Sequence, residues 1–271
     1  MGSIKDVKGF LIDLDGVMYT GDKPVPGAKT AIRFLEESGC SYRFVSNTTR
    51  KSRGTIAGQL ARMGLDVPER FIFTPPLAAA AYIKQAGRDR CWFLITGDAD
   101  RDFGQACRAP RDGGVDFVVI GDAGEKVTYE SMNTAFRHVM GGAGIIALEK
   151  DRYWMAPGGL SLSAGPFVAA LEYATGTAAV VVGKPSPEFF RLALDDMGIG
   201  PHEAAMIGDD IATDIAGAQA TGMQGVLVRT GKFREESLRT SPVRPSVIIG
   251  SIADLPEILW QQADRRRDAG P

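Results

Sequence analysis

Apolar positions along the chain follow two alternating rhythms. Residues 10–14 (Phe10-Leu11-Ile12-Asp13-Leu14) form an apolar run broken by one acid, the pattern of a strand buried on both faces. Over 28–38, Ala31, Ile32, Phe34 and Leu35 recur at helical spacing, and Gly39 stands where such a helix would be capped. Residues 42–46 read as a second strand. Ile56, Leu60 and Met63 mark a helix ended by Gly64, and Ile72-Phe73 a short third strand. The rhythm returns near the end, with strands at 179–182, 205–207, 225–228 and 247–249 and helices at 189–197 and 211–221. Such alternation predicts an α/β fold: a parallel sheet with helices on both faces. The middle carries its own strands at 92–95, 117–120 and 145–148, so a second α/β unit is inserted. Pro75-Pro76 and the turn at 175–177 are the expected junctions. The core is therefore expected over 1–76 and 177–262, the insertion over 77–176, and a flexible tail over 263–271, where Arg265-Arg266-Arg267 lies outside any apolar period.

Composition narrows the function. The 271 residues hold 31 Lys+Arg against 33 Asp+Glu, a formal charge of −2, which disfavours nucleic acid as a partner. The 33 glycines and 15 prolines fit a chain that turns often. Only two histidines are present, His138 and His202, so a histidine metal cage is not supported. The cysteines Cys40, Cys91 and Cys107 form no Cys-x-x-Cys pair, and no disulfide framework is expected. Three unpaired thiols, no apolar run near the roughly 20 residues of a membrane span, and an amino terminus without an apolar signal region predict a cytoplasmic protein away from membranes. A homo-oligomer is left open.

The candidate chemistry sits where apolar strands end. Asp13-Leu14-Asp15-Gly16-Val17 places two carboxylates on one side of an extended chain, at the sheet edge where α/β folds bind ligands. An ordinary Asp-Gly turn is the competing reading. Gly208-Asp209-Asp210-Ile211-Ala212-Thr213-Asp214 follows another strand, and helix capping accounts for one of its three acids. Two further pairs, Gly97-Asp98 and Gly121-Asp122, lack the downstream acid and are read as turns. Val45-Ser46-Asn47-Thr48-Thr49 offers a hydroxyl and main-chain N–H groups at an expected helix start, a seat for phosphate, although such residues are also common loop material. Gly183-Lys184-Pro185 sets a lysine after a strand, for a phosphoryl oxygen or for solvent. Together the acids suit Mg²⁺, a hard cation that prefers oxygen ligands, and Ser46 and Lys184 suit a phosphate. Neither a Gly-x-x-x-x-Gly-Lys-Ser/Thr loop nor a Gly-x-Ser-x-Gly elbow is present.

In that order, Asp-x-Asp-Gly-Val, Ser-Asn-Thr-Thr, Gly-Lys-Pro and Gly-Asp-Asp-x-x-x-Asp resemble the four motifs of the haloacid dehalogenase superfamily of phosphatases. The resemblance implies a Rossmann-like core, and the insertion resembles the α/β cap of the superfamily's NagD-like branch. The resemblance implies a Mg²⁺-dependent phosphatase acting on a small phosphorylated substrate. Asp13 would be the nucleophile and Asp15 the general acid and base. Asp13, the Asp15 carbonyl and Asp209 would hold the metal. Ser46, Asn47 and Lys184 would bind phosphate, with Asp210 and Asp214 in support; Asp214 is expected to orient Lys184 rather than touch the metal, although metal contact by Asp210 or Asp214 is left open. Phosphotransfer, phosphonatase chemistry and a non-catalytic phosphometabolite-binding role remain open alternatives.

Overall fold

The computed structural model describes residues 4, 6–107, 114–156 and 158–259; the expected tail at 263–271 lies outside them. The first stretch of chain holds β1 (Gly9–Asp13), β2 (Tyr19–Thr20), β3 (Lys23–Pro24), α1 (Ala28–Ser38), β4 (Ser41–Val45), α2 (Arg53–Arg62) and β5 (Ile72–Phe73). The middle holds α3 (Pro75–Ala86), β6 (Cys91–Leu94), β7 (Phe117–Ile120), α4 (Tyr129–Met140), β8 (Gly144–Ala147), β9 (Tyr153–Ala156), β10 (Gly159–Leu162), α5 (Gly165–Thr175) and β11 (Val180–Val181). The last stretch holds α6 (Pro187–Met197), β12 (Ala204–Gly208), α7 (Ala216–Ala220), β13 (Gln224–Val228), α8 (Glu235–Thr240) and β14 (Val247–Ile249).

The chain divides into two compact units. The first comprises 1–46, 56–73 and 190–271, the second 47–55 and 74–189. The segment 47–55, expected in the core, thus groups with the insertion. The far boundary falls inside α6 rather than at 176–177.

In the first unit, six parallel strands lie in the order β14-β13-β12-β1-β4-β5. β1 is buried along its whole length, as a strand covered on both faces must be. Phe10, Ile12, Phe44, Ile207 and Val226 meet in its core, each burial contributing about 1.5–3 kcal/mol. The second unit has a four-stranded parallel sheet, β11-β8-β7-β6, whose Val118, Ile120 and Ile145 pack with Val168 and Leu171 of α5. The α/β class with parallel sheets is as expected.

Several local expectations are corrected. Pro75 and Pro76 are not a bare junction but the first turn of α3, where proline's missing N–H costs nothing. Residues 211–221 are a π-helical turn, Ile211–Ile215, followed by α7, rather than one α-helix. The antiparallel hairpin β9–β10 was not expected: Tyr153, Trp154 and Met155 of β9 are consecutive, apolar and exposed, and the Leu160-Ser161-Leu162 alternation of β10 is short. Cys91 and Cys107 form a disulfide with Cα atoms 5.7 Å apart, contrary to the expectation of three unpaired thiols. The chain returns to the start of β6 after the 3-10 turn at Ala99–Ala106, which their 16-residue separation does not reveal. Among the described residues no helix is long and apolar enough to cross a membrane.

Candidate active site

In the first unit the acids gather at the carboxyl ends of β1 and β12. Carboxylate oxygens of Asp13, Asp209 and Asp214 all lie within 4.8 Å of one another, and all three residues are buried. Like charges packed so closely repel unless a cation balances them. Asp214, one of the acids expected only in support, lies within this group. Its Oδ2 also accepts the Asp210 main-chain N–H at 3.2 Å. Asp210 itself is a helix cap, its Oδ1 accepting from the N–H groups of Ala212 at 2.8 Å and Thr213 at 3.1 Å. Asp15 is exposed, its side chain outside the buried trio.

What holds Asp209 was missed by sequence reasoning. The Lys232 N–H donates to its Oδ2 at 2.6 Å, and the Thr230 hydroxyl donates to the Gly16 carbonyl at 2.5 Å. A Cβ on Gly16 (φ +87°) would stand 1.8 Å from Asp209 Oδ2, and one on Gly231 (φ +61°) 2.0 Å from it. The carboxylate is gripped between two backbones, and only glycine lets them close in. Thr230-Gly231 after β13 was the available signal. Tyr19 was also missed. Its phenol is pushed up to about 12, first by burial and then by the charges of Asp15 and Asp13, so it stays protonated beside them.

In the second unit, the Asn47 carboxamide clamps the Lys184 main chain from both sides. Nδ2 donates to the Lys184 carbonyl at 2.9 Å, and Oδ1 accepts the Lys184 N–H at 2.8 Å. Lys184 is buried. A cavity of about 240 Å³ is lined by Asn47, Arg50, Asp122 and Trp154, with the Arg50 guanidinium 5.4 Å from the Trp154 ring centroid. The helix expected after residues 45–49 leaves Ser46 and Asn47 several residues before its first turn. α2 begins at Arg53, and the N–H groups of Ser52 and Arg53 donate to Asp98 and Asp102, both at 2.9 Å. Protein carboxylates therefore already occupy that helix terminus. Ser46 ends the first unit's segment after β4, its N–H donating to the Phe73 carbonyl at 3.4 Å.

The first unit thus sets buried acids at the carboxyl ends of a parallel sheet, and the second sets a buried lysine after β11. The haloacid dehalogenase-like hydrolase family matches residues 10–107, and a related HAD-hydrolase-like family matches 181–255. The human phospholysine phosphohistidine inorganic pyrophosphate phosphatase is 40% identical over 265 residues, covering 96% of each chain. Among solved structures, the p-nitrophenyl phosphatase of Archaeoglobus fulgidus is 31% identical with a TM-score of 0.83, covering 93% of this chain and 99% of that one. NagD of E. coli K-12 is 26% identical with a TM-score of 0.83, covering 92% and 98%. The chain belongs to the haloacid dehalogenase-like hydrolases and is a NagD-like phosphatase of that family.

Proposed function

We propose that the protein hydrolyses small phosphate monoesters, phosphoamides or pyrophosphate through an aspartyl-phosphate on Asp13, with Mg²⁺ bound at the buried acids. The observation that carries this reading is the convergence of Asp13, Asp209 and Asp214 within 4.8 Å. A set of buried carboxylate oxygens fits a hard divalent cation, and phosphatases of this family generally use one. Asp13, the Asp15 carbonyl and Asp209 would hold it, and Asp214 is now a candidate to join them. When bound, it neutralises charge on the transferring phosphoryl group.

The Asp13 carboxylate attacks phosphorus as the bond to the leaving group breaks, and Asp15, exposed at the strand tip, gives its proton to the departing atom. Asp15, now a carboxylate, takes a proton from the water that attacks the phosphoaspartate. Inorganic phosphate leaves and Asp13 is regenerated. The Ser46 hydroxyl, the Asn47 main chain and Lys184 hold the phosphoryl oxygens, and the clamp on the Lys184 backbone fixes where its side chain begins. Residues 1–76 and 177–262 would carry the chemistry, and 77–176 would select the substrate. The phospholysine, phosphohistidine and pyrophosphate named for the human relative make P–N and P–O–P compounds the first to assay.

The test is Asp13→Asn with p-nitrophenyl phosphate and Mg²⁺. An amide cannot act as the anionic nucleophile, so turnover should fall by about three orders of magnitude or more while the fold survives. Acid quenching should trap phosphate on the wild-type chain and not on the variant. Near-normal turnover in Asp13→Asn would sink the mechanism.

A further inference from the structure

Strand tips of the second unit carry acids that the catalytic reading leaves without a role, and they converge on one segment. Asp98 follows β6. Its Oδ1 accepts the Ser52 N–H at 2.9 Å, and its Oδ2 accepts the hydroxyls of Ser52 at 2.8 Å and Thr55 at 2.7 Å. Its own N–H donates to the Arg50 carbonyl at 3.1 Å. That approach requires Gly97 (φ +73°), since a Cβ there would stand 1.9 Å from the Arg50 oxygen. Asp102 accepts the Arg53 N–H at 2.9 Å. Asp122, directly after β7, accepts from Arg50 Nη2 at 2.9 Å, and its N–H donates to the Thr49 hydroxyl at 3.0 Å. Thus three acids hold the segment 47–55 at Thr49, Arg50, Ser52, Arg53 and Thr55. The same segment begins with Asn47, which clamps Lys184.

If the loop 47–52 were free, it would lose conformational entropy each time it gripped an anion, at about 1–2 kcal/mol per ordered backbone residue. Here the ordering is built into the fold. We propose that Asp98 is a positioning residue for phosphate binding, acting through Ser52 and Thr55 to preorganise the segment whose first residue, Asn47, presents its main chain to phosphate and fixes Lys184. Asp122 assists it through Arg50 and Thr49. The substrate-selecting unit then supplies the rigidity of the phosphate grip as well as specificity. The Asp98 carboxyl is held down to about 2, first by the Thr55 hydroxyl and then by the Ser52 N–H, so it remains a charged acceptor across the working pH range. The inference rests on the reading of Asn47 and Lys184 as phosphate ligands.

The full-length chain tests it, with p-nitrophenyl phosphate as substrate and inorganic phosphate as competitive inhibitor. Asp98→Asn keeps an oxygen for the Ser52 N–H but cannot accept both hydroxyls. The KM and the inorganic phosphate inhibition constant should rise together by about tenfold, with kcat within about twofold, because ground-state and transition-state binding weaken alike. Thr55→Val removes the same bond from its other end and should shift KM in the same direction. The double variant should be no worse than Asp98→Asn alone, the signature of a shared interaction. If Asp98→Asn does not fold, Thr55→Val carries the test. Unchanged phosphate affinity in a folded variant, a loss of melting temperature alone, or a fall in kcat at constant KM would each overturn the proposal. Lys184→Ala separates it from its premise: if that variant binds inorganic phosphate normally, the phosphate-site reading fails and the inference with it. Weakened binding in Lys184→Ala with normal binding in Asp98→Asn overturns the inference alone.

Discussion

The two units place the same dipeptide, Gly-Asp, after parallel strands and use it in opposite ways. In the first, Asp209 follows β12 and is brought within 4.8 Å of two other buried carboxylates. Among its neighbours are main-chain groups of Lys232, Gly16 and Gly231, which fix its position. In the second, Asp98 and Asp122 are distributed one per strand tip, and each is met by donors of segment 47–55. Acids pressed together store repulsion that a cation relieves. Acids surrounded by donors stiffen a loop. The motif alone does not distinguish the two; the partners do.

The comparison breaks most visibly at Asp209 and Asp122. Asp209→Asn should raise the Mg²⁺ concentration for half-maximal activity by more than about tenfold, since second-sphere changes alone reach 10–100-fold. In chelator the same variant should melt no lower than wild type, because a repelling charge is gone. Asp122→Asn should do the reverse, leaving the Mg²⁺ requirement unchanged and lowering stability by about 1 kcal/mol through the Arg50 bond. Metal titrations and melts on both variants check this; similar Mg²⁺ shifts in the two would erase the distinction.

Glycine substitutions sharpen it at smaller scale. Gly231→Ala pushes a methyl into the Asp209 carboxylate at a positive φ and should cost about 1–3 kcal/mol while raising the Mg²⁺ requirement. Gly97→Ala should destabilise comparably but raise the KM for p-nitrophenyl phosphate instead, since its methyl meets Arg50. Kinetics at saturating and limiting Mg²⁺ separate the two.

The smallest effect is a pH dependence. Asp98 is held near 2 in the folded chain, below the ordinary 3.8, so the unfolded chain binds its proton more readily. Its contribution to stability is complete above about pH 4 and is lost as pH falls toward about 2. Melting temperature followed from pH 5 to 2 should therefore fall more steeply in wild type than in Asp98→Asn. Equal slopes would mean that Ser52 and Thr55 do not hold the charge.

Much of this was legible in the chain. Strands with near-continuous apolar runs, such as β1 and β12, announce themselves because a strand buried on both faces admits little else. The four motifs stand out because their residues follow such strands and stay local in sequence. The hairpin β9–β10 was not read, since the consecutive apolar residues of β9 break the alternation of a half-buried strand and that of β10 spans only Leu160 to Leu162. The Cys91–Cys107 pair depended on where a turn led the chain, and Tyr19 and Thr230-Gly231 gained meaning only beside Asp13 and Asp209.

By itself, then, the sequence determined the fold class, the order of strand tips and the chemical character of each, because burial patterns and motif residues are local properties. Tertiary structure decided which acids gather together and which stand apart among the donors of segment 47–55. Asp214 joined Asp13 and Asp209, whereas Asp98 and Asp122 turned to Ser52, Thr55 and Arg50. The physical reason is range: a carboxylate's role follows from the charges and donors within a few ångströms of it, and for these residues most lie dozens of positions away along the chain.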